Sequence, residues 1–305
     1  MNLNTVLGLT TVLPISTERR EECIFSVDVE DWFHILNAKS TPSLSTWDKL
    51  PSRVEGNLYR LLDLFSEKQV HVTCFFLGWV AERFPHLVRE SAKRGHEIAS
   101  HGYAHRLVYD MNPAEFYQDA LHSREILEDI AGAAVVGYRS AGFSQTGRTP
   151  WFFEQLARAG YQYDASVFPA VGGHGGMRKA CRTPYAIVHG TTKLIEVPRT
   201  VARVAGESMC FFGGGYLRLF PYWLIRRMAR QVLNAGRPLV FYVHPREIDP
   251  THPRLPLSSF RRFKCYVNLD ETEGKILRIL NEFRVTTFHS FLSRNGHRWS
   301  LPSVA

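Results

Sequence analysis

The stretch Cys23-Ile24-Phe25-Ser26-Val27-Asp28-Val29-Glu30-Asp31 decides how this chain is read. Its first part is apolar and β-prone, the pattern of a strand buried on both faces. Its end is a cluster of carboxylates, and a carboxylate at a buried strand end needs partners. Side chains alternate along an extended chain, so Asp28 and Glu30 share one face while Asp31 turns away unless the strand bulges. Asp28 and Glu30 are therefore the preferred functional pair, with Asp31 as the alternative to Glu30.

Outward from that stretch, strand-like and helix-like runs alternate. Residues 71–77 read as a buried strand, and 97–100 lead into Ser100-His101-Gly102-Tyr103-Ala104-His105. Residues 135–138 end at Arg139, 161–163 lead to Asp164, 194–197 reach Arg199, 239–243 deliver His244, and 284–287 form a last strand. Between them, Val54, Leu58, Leu61, Leu62 and Phe65 recur at helical spacing behind a Ser52/Glu55 capping box. Residues 79–94 read as a helix interrupted by Pro85. A further helix, capped by Asn112 with Pro113 and Glu115, runs to about residue 130. Residues 150–159, 221–235 and 271–282 are also helical, 172–176 lie in a long irregular section, and Gly213-Gly214-Gly215 marks a tight loop.

This βα alternation predicts an α/β fold: a single-domain, distorted or incomplete (β/α) barrel with parallel strands. The catalytic domain is expected over 23–292, after a flexible leader at 1–22 and before a tail at 293–305. Parallel-strand enzymes gather chemistry at the carboxyl ends of their strands. Asp28, Glu30, Asp31, His101, His105, Arg139, Asp164 and His244 all fall at such ends.

His101 and His105 are spaced to face one point if the segment makes a helical turn. One carboxylate from elsewhere completes a three-ligand divalent metal site that leaves room for water or substrate. A second carboxylate can take a proton from that water, which is the equipment of a metal-assisted hydrolase. Arg139 is placed to pair with and orient a catalytic carboxylate, and Asp164 to pair with Arg139. His244, delivered by an apolar strand, reads as a general acid or as a buried structural histidine. His96 and Cys74 read as structural, and Trp32, Phe33 and Trp47 as core residues that could also stack on sugar.

The bulk properties narrow the class. The chain has 305 residues, 45% hydrophobic and 22% charged, with a net charge of +8. That is ordinary globular composition. No apolar run reaches the roughly 20 residues of a transmembrane helix. The basic residues are dispersed and no nucleic-acid motif is present, so nucleic acid is not an expected partner. The five cysteines are scattered without a CxxC, which fits a reducing cytoplasm better than a disulfide framework. The 3–15 stretch lacks a basic n-region and makes a poor signal peptide.

These residues resemble the motifs of polysaccharide deacetylases of the NodB-homology type, carbohydrate esterase family 4. The acidic cluster resembles the first motif and Ser100–His105 the second. Tyr138-Arg139-Ser140-Ala141-Gly142-Phe143 is similar to the third, Tyr163-Asp164-Ala165-Ser166 to the fourth, and Val243-His244-Pro245 to the fifth. The correspondence extends from Cys23 to Leu292. Asp28-Val29-Glu30-Asp31-Trp32-Phe33-His34, Gly213-Gly214-Gly215-Tyr216-Leu217-Arg218 and His244-Pro245-Arg246-Glu247-Ile248-Asp249-Pro250 further resemble a subgroup associated with exosortase and exopolysaccharide gene clusters. That subgroup usually has tryptophan where Arg246 stands, a departure that bears on substrate contacts.

The resemblance implies removal of N-acetyl groups from amino sugars of a polysaccharide or its precursor. It implies a divalent metal, usually zinc, held by His101, His105 and Glu30 or Asp31; cobalt, nickel or iron also suit these ligands. Asp28 is then the base, Arg139 orients it, Asp164 orients Arg139, and His244 protonates the leaving amine. The rival expectations are hydrolysis of a small acetylated metabolite or lipid-linked sugar, and a non-catalytic glycan-binding protein. These motifs specify no oligomeric state.

Overall fold

The computed structural model describes residues 21–36, 40–172, 174–189 and 192–295. The leader expected at 1–22 and the tail expected at 293–305 lie outside the described residues, apart from 21–22 and 293–295.

The opening apolar stretch forms β1 (Glu22–Val29), buried along nearly its whole length because it has neighbours on both sides. Short strands follow: β2 (Thr73–Phe76), β3 (Glu97–Ser100), β4 (Gly137–Tyr138), β5 (Tyr163–Asp164), β6 (Tyr185–His189) and β7 (Thr192–Glu196). A small separate hairpin, β8 (Ala202–Val204) and β9 (Glu207–Met209), precedes β10 (Val240–Val243) and β11 (Arg284–Thr286). The main sheet runs β10-β1-β2-β3-β4-β5-β7-β6, with β11 also pairing with β1. Every pairing in it is parallel except β6 with β7. Among the described residues β6 and β10 do not pair, so the barrel is open, as expected.

Among the described residues ten α-helices accompany the sheet: α1 (Val54–Glu67), α2 (Gly78–Arg83), α3 (Pro85–Lys93), α4 (Pro113–Ala131), α5 (Phe152–Arg158), α6 (Gly214–Leu219), α7 (Tyr222–Asn234), α8 (Ser259–Tyr266), α9 (Thr272–Glu282) and α10 (Phe288–Asn295). The periodic residues Leu58, Leu61, Leu62 and Phe65 of α1 are fully buried against the sheet. Asn112 and Glu115 form the expected capping box of α4, and Gly132 closes it in the left-handed conformation. Pro85 separates α2 from α3. All five cysteines are free. No helix among the described residues is long and apolar enough to cross a membrane.

Three local expectations fail for tertiary reasons. The Ser52/Glu55 capping box does not form: Ser52 Oγ donates to Asp31, and Glu55 instead meets His86. Asp31, brought in from the end of β1, takes over the N-terminus of α1. The irregular section hides β6, which exists only because β7 folds back beside it. Gly213-Gly214-Gly215 is more than a loop, since Gly213 bridges to Tyr242 and Gly214 starts α6. A Cβ on Gly213 would lie 2.0 Å from the Tyr242 ring, so only glycine permits this approach.

Candidate metal and catalytic centre

The parallel register places the ends of β1, β3, β4 and β10 side by side. Asp28 is paired with Phe75, Phe76 with Ser100, and Val27 with Val243. Residues just beyond these positions therefore share one rim. Glu30, His101 and His105 meet there, all buried, each offering one ligand atom within 4.8 Å of the others. Glu30 Oε1 lies 3.1 Å from His101 Nε2 and 3.0 Å from His105 Nε2.

His101 Nδ1 lies 2.7 Å from the Arg139 carbonyl, so it carries the proton and its Nε2 lone pair faces the centre. Among the described residues His105 Nδ1 has no hydrogen-bond partner despite burial, and Nε2 meets only the Glu30 carboxylate. Two buried imidazoles turned onto one carboxylate oxygen are a donor set that fits a divalent cation. Burial pushes Glu30 up, but His105 and His244, with the hydrogen bonds of His101 and His105, hold it well below the usual carboxylate range. For His101, burial works downward, and the Glu30 and Asp28 carboxylates outweigh it and raise the imidazole.

The two histidines do not converge by a helical turn. Residues 101–107 are irregular, and the reversal is made by Gly102 at φ +74° and His105 at φ +52°. A left-handed histidine costs of order 1 kcal/mol or more and persists only where its surroundings impose it. Those surroundings are visible: Asp119 of α4 accepts from Tyr103 N at 3.0 Å, and the Gly102 and Tyr103 carbonyls accept from Gly78 N and Trp79 N at the start of α2. A Cβ on Gly102 would sit 2.9 Å from Asp119 Oδ2. No sequence pattern pointed to Asp119.

Of the two candidate acids, Glu30 faces the histidines and Asp31 does not. Asp31 accepts hydrogen bonds from Trp32 N, Ser52 Oγ, Arg53 N and Val54 N. The alternation along β1 that favours Glu30 is the physical reason.

Asp28 lies beside the triad. Its Oδ1 accepts from Arg139 Nη1 at 2.5 Å, and its Oδ2 lies 4.0 Å from His244 Nε2. Arg139 also donates to Ser26 Oγ at 2.9 Å and stacks 4.1 Å from the Phe75 ring centroid, which fixes the guanidinium plane. His244 Nε2 is 3.6 Å from Glu30 Oε1. Burial pushes the His244 imidazole down to about 4, against the upward pull of Glu30, so it rests neutral near pH 7.

Asp164 is not where the sequence suggested. It forms no ion pair with Arg139 among the described residues. Its Oδ1 accepts from Ser166 Oγ at 2.5 Å, and Ser166 Oγ in turn accepts from Ser140 N. Asp164 is in register with Glu196 on β7, and both are fully buried. Burial raises both carboxyls, and mutual repulsion raises Glu196 further, so a proton is held between them. Asp164 thus reaches the Arg139 segment only through Ser166 and the backbone.

Two residues that sequence reading left without a role complete the centre. Glu247 lies on the short 3-10 turn after His244; its Oε2 accepts from His244 N at 3.0 Å and lies 3.3 Å from His244 Nδ1. Its other oxygen is paired with the buried Arg218 of α6. Arg218 is anchored by the Lys264, Cys265 and Val267 carbonyls. The spacing of His244 and Glu247 on one turn was the available signal. Trp32, Phe33 and Trp47 pack in the core around His34. His96 accepts from Val72 N, as a structural histidine.

Comparison with known proteins joins this geometry to a family. Residues 37–163 match the polysaccharide deacetylase family model, and residues 165–293 match a model described as a domain of unknown function. The second region is not a separate body here: its β6, β7, β10 and β11 belong to the same sheet, and it supplies His244, Glu247 and Arg218. A peptidoglycan-N-acetylglucosamine deacetylase of Bacillus cereus is 36% identical over 75 residues, 25% of this chain and 27% of that protein. A peptidoglycan deacetylase of Helicobacter pylori is 30% identical over 113 residues, 37% of this chain and 38% of that protein. The chain therefore matches less than half the length of these relatives.

Two solved structures share the fold. A probable polysaccharide deacetylase from Pseudomonas aeruginosa PAO1 has a TM-score of 0.58 at 17% identity, covering 93% of each chain. The PuuE allantoinase has 0.60 at 18%, also covering 93% of each. Such different names on one fold leave the substrate to the site. Family model, curated relatives and sheet point the same way: residues 37–163 are similar to polysaccharide deacetylases, and the whole chain shares their fold.

Proposed function

We propose that this protein removes N-acetyl groups from amino sugars of a polysaccharide or its precursor, with a divalent metal, zinc for preference, held by Glu30, His101 and His105. The supporting observation is the convergence of three ligand atoms within 4.8 Å beside a second, separately held carboxylate, Asp28. A cation in that position supplies Lewis-acid polarisation of the acetyl carbonyl and acidification of water.

The remaining chemistry belongs to the chain's own residues. Asp28 Oδ1 is taken by Arg139, so Oδ2 is the atom that accepts the water's proton as oxygen attacks the amide carbon. Arg139, clamped by Ser26 and Phe75, keeps Oδ2 turned towards the centre. The C–N bond then breaks, and the amine must gain a proton because an amine anion is too basic to leave. His244 Nε2, near both Asp28 and Glu30, is the group in reach to deliver it. Because His244 rests neutral, the proton it delivers is the one Asp28 Oδ2 has taken from water, passed on to Nε2, which lies 4.0 Å away, and Glu247 beside Nδ1 favours the charged imidazole. Acetate and the free amine result. The subgroup motifs point to an exopolysaccharide as the glycan.

The test is acetate release from N-acetylated oligosaccharides by the full chain, before and after chelation, with metal content measured on the same sample. Activity should vanish with the metal and return when it is restored. Full activity in His101→Ala without bound metal would reject the assignment.

A further inference from the structure

We propose that Arg246, supported by Arg199, Arg261 and Lys264, forms an oxyanion subsite beside the catalytic centre, so the amino sugar deacetylated here carries a carboxylate or phosphate near its N-acetyl group. This rests on the deacetylase reading and adds the charge class of the substrate.

The cavity above the triad has a volume of about 350 Å3, and five cationic side chains line it against three carboxylates. All three carboxylates are committed: Asp28 to Arg139, Glu247 to Arg218, and Glu30 to the histidine pair. Of the cations, only Arg218 has a carboxylate partner. Among the described residues no carboxylate lies within ion-pair distance of Arg199, Arg246, Arg261 or Lys264. A cation at the triad makes the excess larger.

Arg246 is the least satisfied of them. Its Nε and Nη1 are buried and have no hydrogen-bond partner among the described residues. A guanidinium is a planar fork of donors matched to carboxylate and phosphate. Leaving buried donors of a charged group unpaired is costly unless a ligand fills them. The short 3-10 turn Pro245–Ile248 that presents Glu247 to His244 also presents Arg246 to the cavity, one residue earlier. Its charge is felt at His34 and His244, which puts it at the centre's edge.

The neighbours hold an oxyanion from other sides. Arg199 donates to Tyr242 Oη and is stacked among Phe143, Phe168 and Tyr242, yet its Nε is also buried and unpartnered. Arg261 donates to the Leu36 carbonyl and keeps a buried, unpartnered Nε. The Phe260 ring, 76% exposed on the same lining, offers a face for a sugar. Sugar-stacking surface beside unpaired guanidinium donors fits an acidic amino sugar better than a neutral one.

The experiment is calorimetric titration of the metal-loaded full chain with N-acetylglucosamine, N-acetylmuramic acid and N-acetylglucosamine 1-phosphate. The expected result is at least roughly tenfold tighter binding of one anionic probe than of the neutral sugar. The preference should collapse in Arg246→Gln and at high salt. Preference for the muramic acid assigns a carboxylate, and preference for the phosphate assigns a sugar phosphate. If Arg246→Gln does not fold, the salt series on the native chain carries the test.

Equal binding of all three probes, or a preference unchanged in Arg246→Gln, overturns the subsite. Acetate released equally from neutral and charged sugars overturns the subsite and leaves the deacetylase reading intact. Selective binding of anionic sugars without acetate release does the reverse.

Discussion

Adjacent acids at the end of β1 should separate into two phenotypes. Asp31→Ala removes the acceptor for Arg53 N and Val54 N at the start of α1, for the buried Trp32 N and for Ser52 Oγ. Loss of an N-cap costs about 1 kcal/mol, and a buried donor left unsatisfied about 1–3 kcal/mol. Together they predict a loss of about 2–4 kcal/mol, or roughly 3–7 °C in Tm for a domain of this size. Metal content per folded protein should stay at the native value. Glu30→Gln should behave oppositely: it removes the anionic member of the ligand set, and metal content should fall far below one equivalent. Thermal unfolding, run with and without chelator, and elemental analysis on the same samples provide the readout. Metal lost from Asp31→Ala with Tm unchanged, or retained in Glu30→Gln, would refute the division of roles.

Two further outcomes follow from the same geometry. Glu247→Gln should lower kcat for acetate release roughly tenfold or more with a smaller change in KM, and alter the pH profile, because the charge beside His244 Nδ1 is gone. An unchanged kcat and profile in folded protein would exclude Glu247 as a positioning residue. The Asp164–Glu196 pair predicts a pH signature. Folding raises both carboxyls, so the native state holds protons that the unfolded chain releases. That contribution is fully present below the ordinary carboxylate range and is lost as the pH rises through about 6 and beyond. Glu196→Gln should therefore flatten the fall in Tm expected of native protein between pH 5 and pH 8, measured by scanning calorimetry. Parallel curves would show that the pair is not linked to stability.

How far the centre was readable from the chain depends on how local each determinant is. The period-two alternation after Ser26 distinguishes Glu30 from Asp31 before any partner is known, and the structure places them accordingly. The apolar runs ending at Asp28, Ser100, Tyr138 and Val243 are recognisable one at a time, and parallel pairing then brings their ends together. The conformation that joins His101 to His105 was not recoverable from their spacing. A helical turn satisfies it equally well, and the irregular turn is selected by Asp119 and the start of α2.

By itself the sequence determined most of the strand and helix order, a parallel α/β barrel that is distorted or incomplete, and the residue types delivered to the active rim. Those properties depend on hydrophobic period and on signals a few residues long, which act before distant segments meet. Tertiary structure alone decided that Asp31 caps α1, that Asp164 shares its proton with Glu196 and not with Arg139, and that Arg218 and Glu247 stand behind His244. Each of those outcomes is a competition among buried acceptors and donors far apart in the chain, won by whichever partner the packed sheet brings within hydrogen-bond distance.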